Sequence, residues 1–452
     1  MSIRYIGNSA LSSTELFRRH GLTPFRNILT PEMFRSFIVR KMRHSTTLIS
    51  EVVFWLMATV ALTDGAMASA VISFWAPLRA LFPHLALRPV TEEAFCTARK
   101  LLPLSFFRRV FLEIVSRYQR LFGERYRWHG FRLWGIDGTR IPLPTCAALR
   151  DKYGTFSNRH GSCRQPQALL VGLLGLWNGL CQDFILVPIR RGEQFCARFL
   201  IRLLGPADLL ICDRAFCSYR IFVCVLSRGA QFLIRVQSNR ALLKIRRIPT
   251  PSKRRDEWFI NLPIPSRLLK QFPLFPRTLR LRVIQYRTCG YRTSWLITSL
   301  TNTEQYPYAE LVNLYHERWR HETAYREWKH TLQISNIRSK SSDGVLKEVF
   351  VQITLNNLVR WIMTEAAGET HRPVELQFLN SKRLILAAVA PMTAASVERL
   401  PFMYKRLLRE IAQSVIVVRP ERSYPRRQRK GFYERREDTT IQTVAVRKKC
   451  RR

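Results

Sequence analysis

Five short apolar runs limit what this chain can become. FRLWGID, ALLVGLLGLW, DFILVPI, DLLICD and QFLIRV follow one another between Phe131 and Val236, and helical segments such as EQFCARFLIRLLG and SYRIFVCVLSRG separate the later ones. Each run has the length of a strand, and the order strand, strand, strand, helix, strand, helix, strand specifies an α/β fold built on a mixed sheet with helices on its faces. The first run closes on Asp137 and the fourth on Asp213. A carboxylate at the end of a buried strand is held rigidly and stays reachable.

The flanking segments have different characters. Residues 1–125 read as a basic helical domain: Pro31 starts one helix, Glu51 another, Pro89-Val90-Thr91-Glu92-Glu93 caps a third, and SFFRRVFLEIVSRYQRLF carries apolar residues at three- and four-residue spacing with arginines opposite. Such a domain suits reading a DNA end or dimerising. The strand runs occupy 126–238. From 239 to 293 the chain is basic and punctuated by proline, as in KIRRIPTPSKRRDEW and LPIPSRLLKQFPLFP, which is the composition of a β-rich insertion. SWLITSL returns to the core pattern in 294–400, followed by a long helix from about Tyr308 to Gln333 and a second, DGVLKEVFVQITLNNLVRWIMTEAA, capped by Ser342 or Asp343. Residues 401–452 form a basic C-terminal segment.

With 74 Lys and Arg against 32 Asp and Glu, the net charge is +42. A chain this basic repels itself unless a polyanion screens it, so nucleic acid is the expected partner. The stretch from Arg419 onward, including RRQRK and RKKCRR, reads as an arm for backbone phosphates. The ten cysteines form no CxxC pair and no ladder with histidine, which argues against structural zinc and for a reducing compartment. MSIRYIGNSALSST has too short an apolar run for a signal peptide. Val52 to Ala76 is apolar enough to raise a membrane span, but Asp64-Gly65 near its middle makes two packed helices with a turn the cheaper solution. The expected location is therefore a reducing cytoplasm, with no membrane contact.

At about 100° per residue, Tyr315, Arg318, Glu322 and Lys329 of YHERWRHETAYREWK share a stripe roughly 60° wide on one helix. An acid between two cations and a phenol suits a phosphate backbone and a divalent metal. Phosphodiester chemistry needs the attacking oxygen deprotonated, the leaving oxygen stabilised and the charge at phosphorus neutralised, and two metals about 4 Å apart serve all three needs. Magnesium takes oxygen ligands and keeps several waters, so three acids from three elements suffice. Asp137, Asp213 and Glu322 are the candidates, with Arg318 and Lys329 for phosphates and Tyr315 as a hydroxyl donor to the backbone. Each acid has an ordinary reading too: Asp137-Gly138 as a turn, Asp213-Arg214 as a strand-end ion pair, and Glu322 paired with Arg318 or Arg326.

These residues resemble the DDE transposases of the insertion-sequence-four class. The first acid lies in IDGTRIPLP, the second in DRAFCSY, where family members usually show a glycine or similar small residue at Ala215, and the third in YHERWRHETAYREWK, whose spacing reproduces the family signature at Tyr315, Arg318, Glu322 and Lys329. Arg320-His321 departs from the family, which often has an acidic-hydrophobic pair there. The resemblance covers roughly residues 30–400 and implies a ribonuclease-H-like core interrupted by a β-rich insertion. It also implies two Mg2+ ions on the three acids, with Mn2+ able to substitute, and a homodimer that synapses double-stranded DNA at the element's terminal inverted repeats and joins it to target DNA. Trp295 matches the family position that stacks on a flipped base; a core tryptophan beside a strand is the alternative. The implied function is metal-dependent cleavage and strand transfer at the ends of an insertion sequence. A nuclease without strand transfer and a silent DNA-binding repressor of the element are the rivals.

Overall fold

The apolar runs pair into one ten-stranded sheet in the computed structural model, which describes residues 23–30, 33–34, 48–62, 67–83, 87, 89–158, 161–237, 241–252, 254–287 and 292–417. The strands are β1 (Arg132–Pro142), β2 (Thr155–Asn158), β3 (Gly161–Gly175), β4 (Cys181–Pro188), β5 (Asp208–Cys212), β6 (Gln231–Val236), β7 (Ile248–Pro249), β8 (Glu257–Pro263), β9 (Thr278–Tyr286) and β10 (Ser294–Thr298). Their order is β2-β3-β1-β5-β6-β10-β9-β8-β7, and β4 also pairs with β3. β1 runs antiparallel to β3 and parallel to β5, which is parallel to β6. This is the mixed sheet that the run order specifies. Strands β7 to β9 continue the same sheet through antiparallel pairing of β9 with β10.

Helices cover both faces. On one face, α6 (Glu193–Leu200) and α7 (Tyr219–Leu226) bury Cys196, Ala197, Leu200, Ile221 and Phe222 against Trp134, Ile136, Leu210 and Ile234. On the other, α8 (Tyr308–His316) buries Leu311, Leu314 and Tyr315 against Leu133, Leu209, Ile211 and Leu296. Side chains along a strand alternate between faces, so runs apolar at every position are what a sheet covered on both sides requires.

The largest cluster joins α1 (Ser50–Leu62), α2 (Met67–Leu81), α3 (Glu92–Leu101) and α4 (Leu104–Phe122) to α10 (Ser342–Ala367), α11 (Phe378–Ala394) and α12 (Leu400–Ala412). α5 (Ala147–Tyr153) follows β1 and adds Leu149 and Tyr153 to it. α10 is buried along nearly its whole length. Thr91 caps α3 by accepting from Ala94 N at 3.2 Å, as the sequence signal indicates. The cap of α10 is Ser341, ahead of the expected Ser342 or Asp343, accepting from Gly344 N. α1 and α2 pack as two helices; the turn between them, the expected helix start at Pro31 and the basic arm from Arg419 lie outside the described residues. Among those described, no helix is long and apolar enough to cross a membrane.

Two buried carboxylates fix the sheet. Asp208 opens β5 and accepts from Arg132 Nε at 2.7 Å and Nη2 at 3.0 Å, from Trp134 Nε1 at 2.8 Å and from Gly205 N at 2.7 Å. It thereby locks the register in which Arg132 pairs with Asp208 and Gly135 with Ile211. Glu257 of β8 holds the buried Arg282 of β9, whose Nη1 donates to Tyr306 O at 2.7 Å just before α8. Removing one member of such a buried constellation strands the others without partners. We expect Asp208→Ala to lower unfolding stability by about 3 kcal/mol or more, read from the urea midpoint at unchanged slope.

Candidate active site

The register of β1 and β5 places two acids side by side. The last paired residues are Gly135 and Ile211, so two residues further along each chain Asp137 and Asp213 stand level, on the face shared by Leu133, Leu209 and Ile211. Asp213 follows β5 directly and caps a short turn, accepting from Ala215 N at 2.8 Å. Asp137 does not close its strand. β1 runs on to Pro142 because β3 continues to pair with it after β5 has ended, and Asp137 sits opposite Gly172 in that ladder.

A third acid joins them from the opposite face. Glu193 begins α6 and packs against Gly138, where an added Cβ would fall 2.4 Å from its carboxylate oxygen. Burial raises the Glu193 pKa and Asp213 raises it further, with Arg140 opposing. Burial likewise pushes Asp137 up to about 7; the Gly138 amide bond and Arg318 oppose the shift, while Glu193 and Asp213 reinforce it. Nothing in the sequence singled out Glu193. An acid in the first turn of a helix ordinarily serves the helix dipole, and only the close approach allowed by Gly138 brings this one to the site.

Glu322 lies on α9 (Trp319–Arg326), above the same face as the two aspartates. Its neighbour His321 is buried against Gly135, where a Cβ would meet the ring at 2.3 Å. Its own carboxylate accepts from Arg318 Nη2 at 3.1 Å, which is the ordinary pairing open to it from the sequence. Arg318 is also within electrostatic reach of both Asp137 and Asp213, so one guanidinium links Glu322 to the pair. The Arg318 Nε and the Tyr315 hydroxyl are buried and have no partner among the described residues. No three His, Cys, Asp or Glu among the described residues stand together as a ready metal cage. The donor set is nevertheless all carboxylate oxygen, and a site where burial and neighbouring acids discourage ionisation of Asp137 is one where a hard divalent cation would offset the repulsion. Asp137 and Asp213 stand level on one face, while the Glu322 carboxylate is engaged by Arg318.

The single long helix expected over this stretch is broken twice. Glu317, Arg318, Arg320 and His321 donate three residues back rather than four, and Glu327–Thr331 forms a π turn. Such irregularities re-aim side chains within a helix. Lys329 therefore sits in the π turn, half-buried with its pKa lowered by that burial, and its place in a regular stripe is not kept. Arg320 donates to Glu317 and to Val374 O and does not face solvent alone. Trp295 of β10 packs on the α6 and α7 face, across the sheet from Tyr315. Trp319, 51% exposed beside Arg318, is the tryptophan that solvent reaches here.

Tyr325, on the same helix, is wedged into the sheet. Its hydroxyl donates to Asp137 O and accepts from Gly172 N at 3.1 Å, bridging two residues that face each other across the β1–β3 ladder. Gly172 makes room, since a Cβ there would press on Trp328 at 3.2 Å. The sequence signature gave Tyr325 no role.

Residues 178–358 match the family model described as Transposase DDE domain. The chain is 24% identical over 357 residues to Transposase InsG for insertion sequence element IS4 of Escherichia coli (strain K12), covering 75% of this chain and 76% of that protein. A cryo-EM structure of the piggyBac transposase synaptic complex with hairpin DNA aligns with a TM-score of 0.40 at 11% identity, over 89% of this chain and 85% of that one.

Two measurements test the local geometry. Tyr325→Phe leaves Asp137 O and Gly172 N without their bridge and should cost about 1–2 kcal/mol of unfolding free energy. Burial pushes His321 down to about 4 from its ordinary 6.5, with the Gly135 backbone partly opposing. Its folded pKa lies below the unfolded one, so its contribution to stability is complete above about pH 6.5 and shrinks as the pH falls toward 4. Urea midpoints of the wild type should drop more steeply across that window than those of His321→Gln.

Proposed function

We propose that this chain, which belongs to the DDE transposases of the insertion-sequence-four type, cuts double-stranded DNA at the terminal inverted repeats of its own element and joins the freed 3′ hydroxyl to target DNA. The observation that carries the assignment of the site is the β1–β5 register, which sets Asp137 level with Asp213 on the face that α9 and Glu322 cover.

Asp137, Asp213 and Glu322 would hold two divalent cations, Mg2+ or Mn2+, which when bound supply water activation and charge neutralisation at phosphorus. The protein's own part begins with Arg318. Its pair with Glu322 is partly exposed, with side-chain exposures of 16% and 39%, and an ion pair of that kind is worth only about 1 kcal/mol or less. A phosphate entering the cleft competes for the guanidinium, whose unpartnered Nε supplies a further donor. Glu322 is then released toward the aspartates. Arrival of DNA and completion of the acid set become one event, which keeps the acids apart while the cleft is empty.

Tyr315 and Lys329 add donors for the same strand, and Trp295 is assigned to an unpaired base only if the sheet opens on the α6 and α7 face. A homodimer holding two element ends in the bacterial nucleoid completes the reading. The DNA partner is supported by the net charge of +42 and by the two matches to transposases. The test is Glu322→Gln, which keeps the shape and removes the charge. Duplex affinity should stay within about twofold while Mg2+-dependent nicking falls by roughly a hundredfold or more. Wild-type nicking rates in that variant would remove Glu322 from the chemistry.

A further inference from the structure

On the outer side of α6 and α7, one helix length from Glu193, Arg198, Arg202, Arg220 and Arg228 line a cavity of about 460 Å³ together with Gln271 and Phe272. No acid lines it, and none of the four arginines forms an ion pair with a described residue. Four guanidiniums converging on one concavity repel one another, and a solvated outward face would spread them apart.

Several features hold them in place. Arg191 and Arg198 each lie over the Phe195 ring with 5.0 Å from guanidinium carbon to centroid, and Arg202 lies over Phe199 at 5.1 Å. Arg220 Nη1 donates to Gln271 Oε1 at 3.0 Å, and Arg228 Nε donates to Leu204 O at 3.4 Å. Burial raises the Cys224 thiol pKa, and Arg220, Arg198 and Arg202 all oppose that shift, which places three charges around one sulfur. Stacked guanidiniums keep their N–H edges free for planar, bidentate acceptors, which phosphate oxygens are.

We propose that these four arginines form a second phosphodiester pocket that holds the backbone of DNA flanking the cut. The proposal rests on the transposase reading above and adds to it a binding site outside the cleft. From Glu193, beside the acids, to Arg202 is nine residues of helix, roughly 14 Å at 1.5 Å per residue. That is about four steps of a DNA strand at 3.4 Å per phosphate. The row from Arg191 through Arg198 to Arg202 gives a backbone leaving the cleft a continuous basic path to the pocket.

The test uses full-length protein and fluorescence anisotropy, with the wild type beside Arg198→Ala/Arg202→Ala/Arg220→Ala. For a long duplex the log–log salt slope of the variant should be shallower by about 2.7, three lost contacts at roughly 0.9 each. For a duplex that keeps a long element side but is trimmed to about two base pairs on the flanking side of the cut, too short to reach the pocket, variant and wild type should bind alike. Replacing the same three residues by lysine should restore most of the slope. An unchanged slope on the long duplex, with the melting temperature also unchanged, overturns the pocket. Loss of inorganic polyphosphate binding at an unchanged duplex slope overturns the DNA assignment and leaves a free polyphosphate site. Failure of the wild type to bind any duplex defeats the transposase reading itself, an outcome visible before the variant is made.

Discussion

The parallel register between β1 and β5 is the constraint on which the candidate site depends. A slip of one residue would turn Asp137 or Asp213 to the other face, because side chains alternate along a strand. Asp208 prevents it by binding Arg132, Trp134 and Gly205 at once, at the end of the strands away from the acids. A structural carboxylate at one end of β5 thus aligns Asp137 and Asp213 beyond the other. The two ends also differ in solvation: Asp208 is fully buried with every oxygen engaged, while Asp213 stays partly open.

Helices on both faces are tied to the sheet at points that need special residues. Gly135 admits His321, Gly138 admits Glu193, and Gly172 admits Trp328 and the Tyr325 hydroxyl. A methyl group would collide with the His321 ring at Gly135, displace the Glu193 side chain at Gly138 and press on Trp328 at Gly172. The tightened turn at 317–321 and the π turn at 327–331 let one chain segment pair Arg318 with Glu322 while seating Tyr325 and Trp328 against the sheet.

Much of this was legible in the chain because it is local. Strand-length runs, the Thr91 cap and the acids at run ends depend on neighbours a few residues away. What was not legible depends on pairing across long separations. Asp137 lies inside β1 because β3 outlasts β5 as its partner, which no feature of FRLWGID announces. Glu193 reaches the acids through Gly138, 55 residues earlier in the numbering. The face taken by Trp295 follows from the antiparallel register of β10 with β6, and a run apolar on both sides leaves that choice open. The regular stripe through Tyr315, Arg318, Glu322 and Lys329 assumed uniform helical geometry, and packing onto the sheet imposed otherwise.

The segment between β6 and β10 interrupts the core in sequence but not in space. Its strands carry the hydrogen-bonded ladder outward from β10, and the buried Arg282 reaches from β9 to the backbone at Tyr306, at the threshold of α8. A load applied to β8 or β9, for example by something grasping their basic loops, would therefore pass through rigid backbone to the base of the helix that leads to Glu322. The segment is continuous with the core through the β9–β10 ladder, and an excised core would be left with β10 as a bare, adhesive margin.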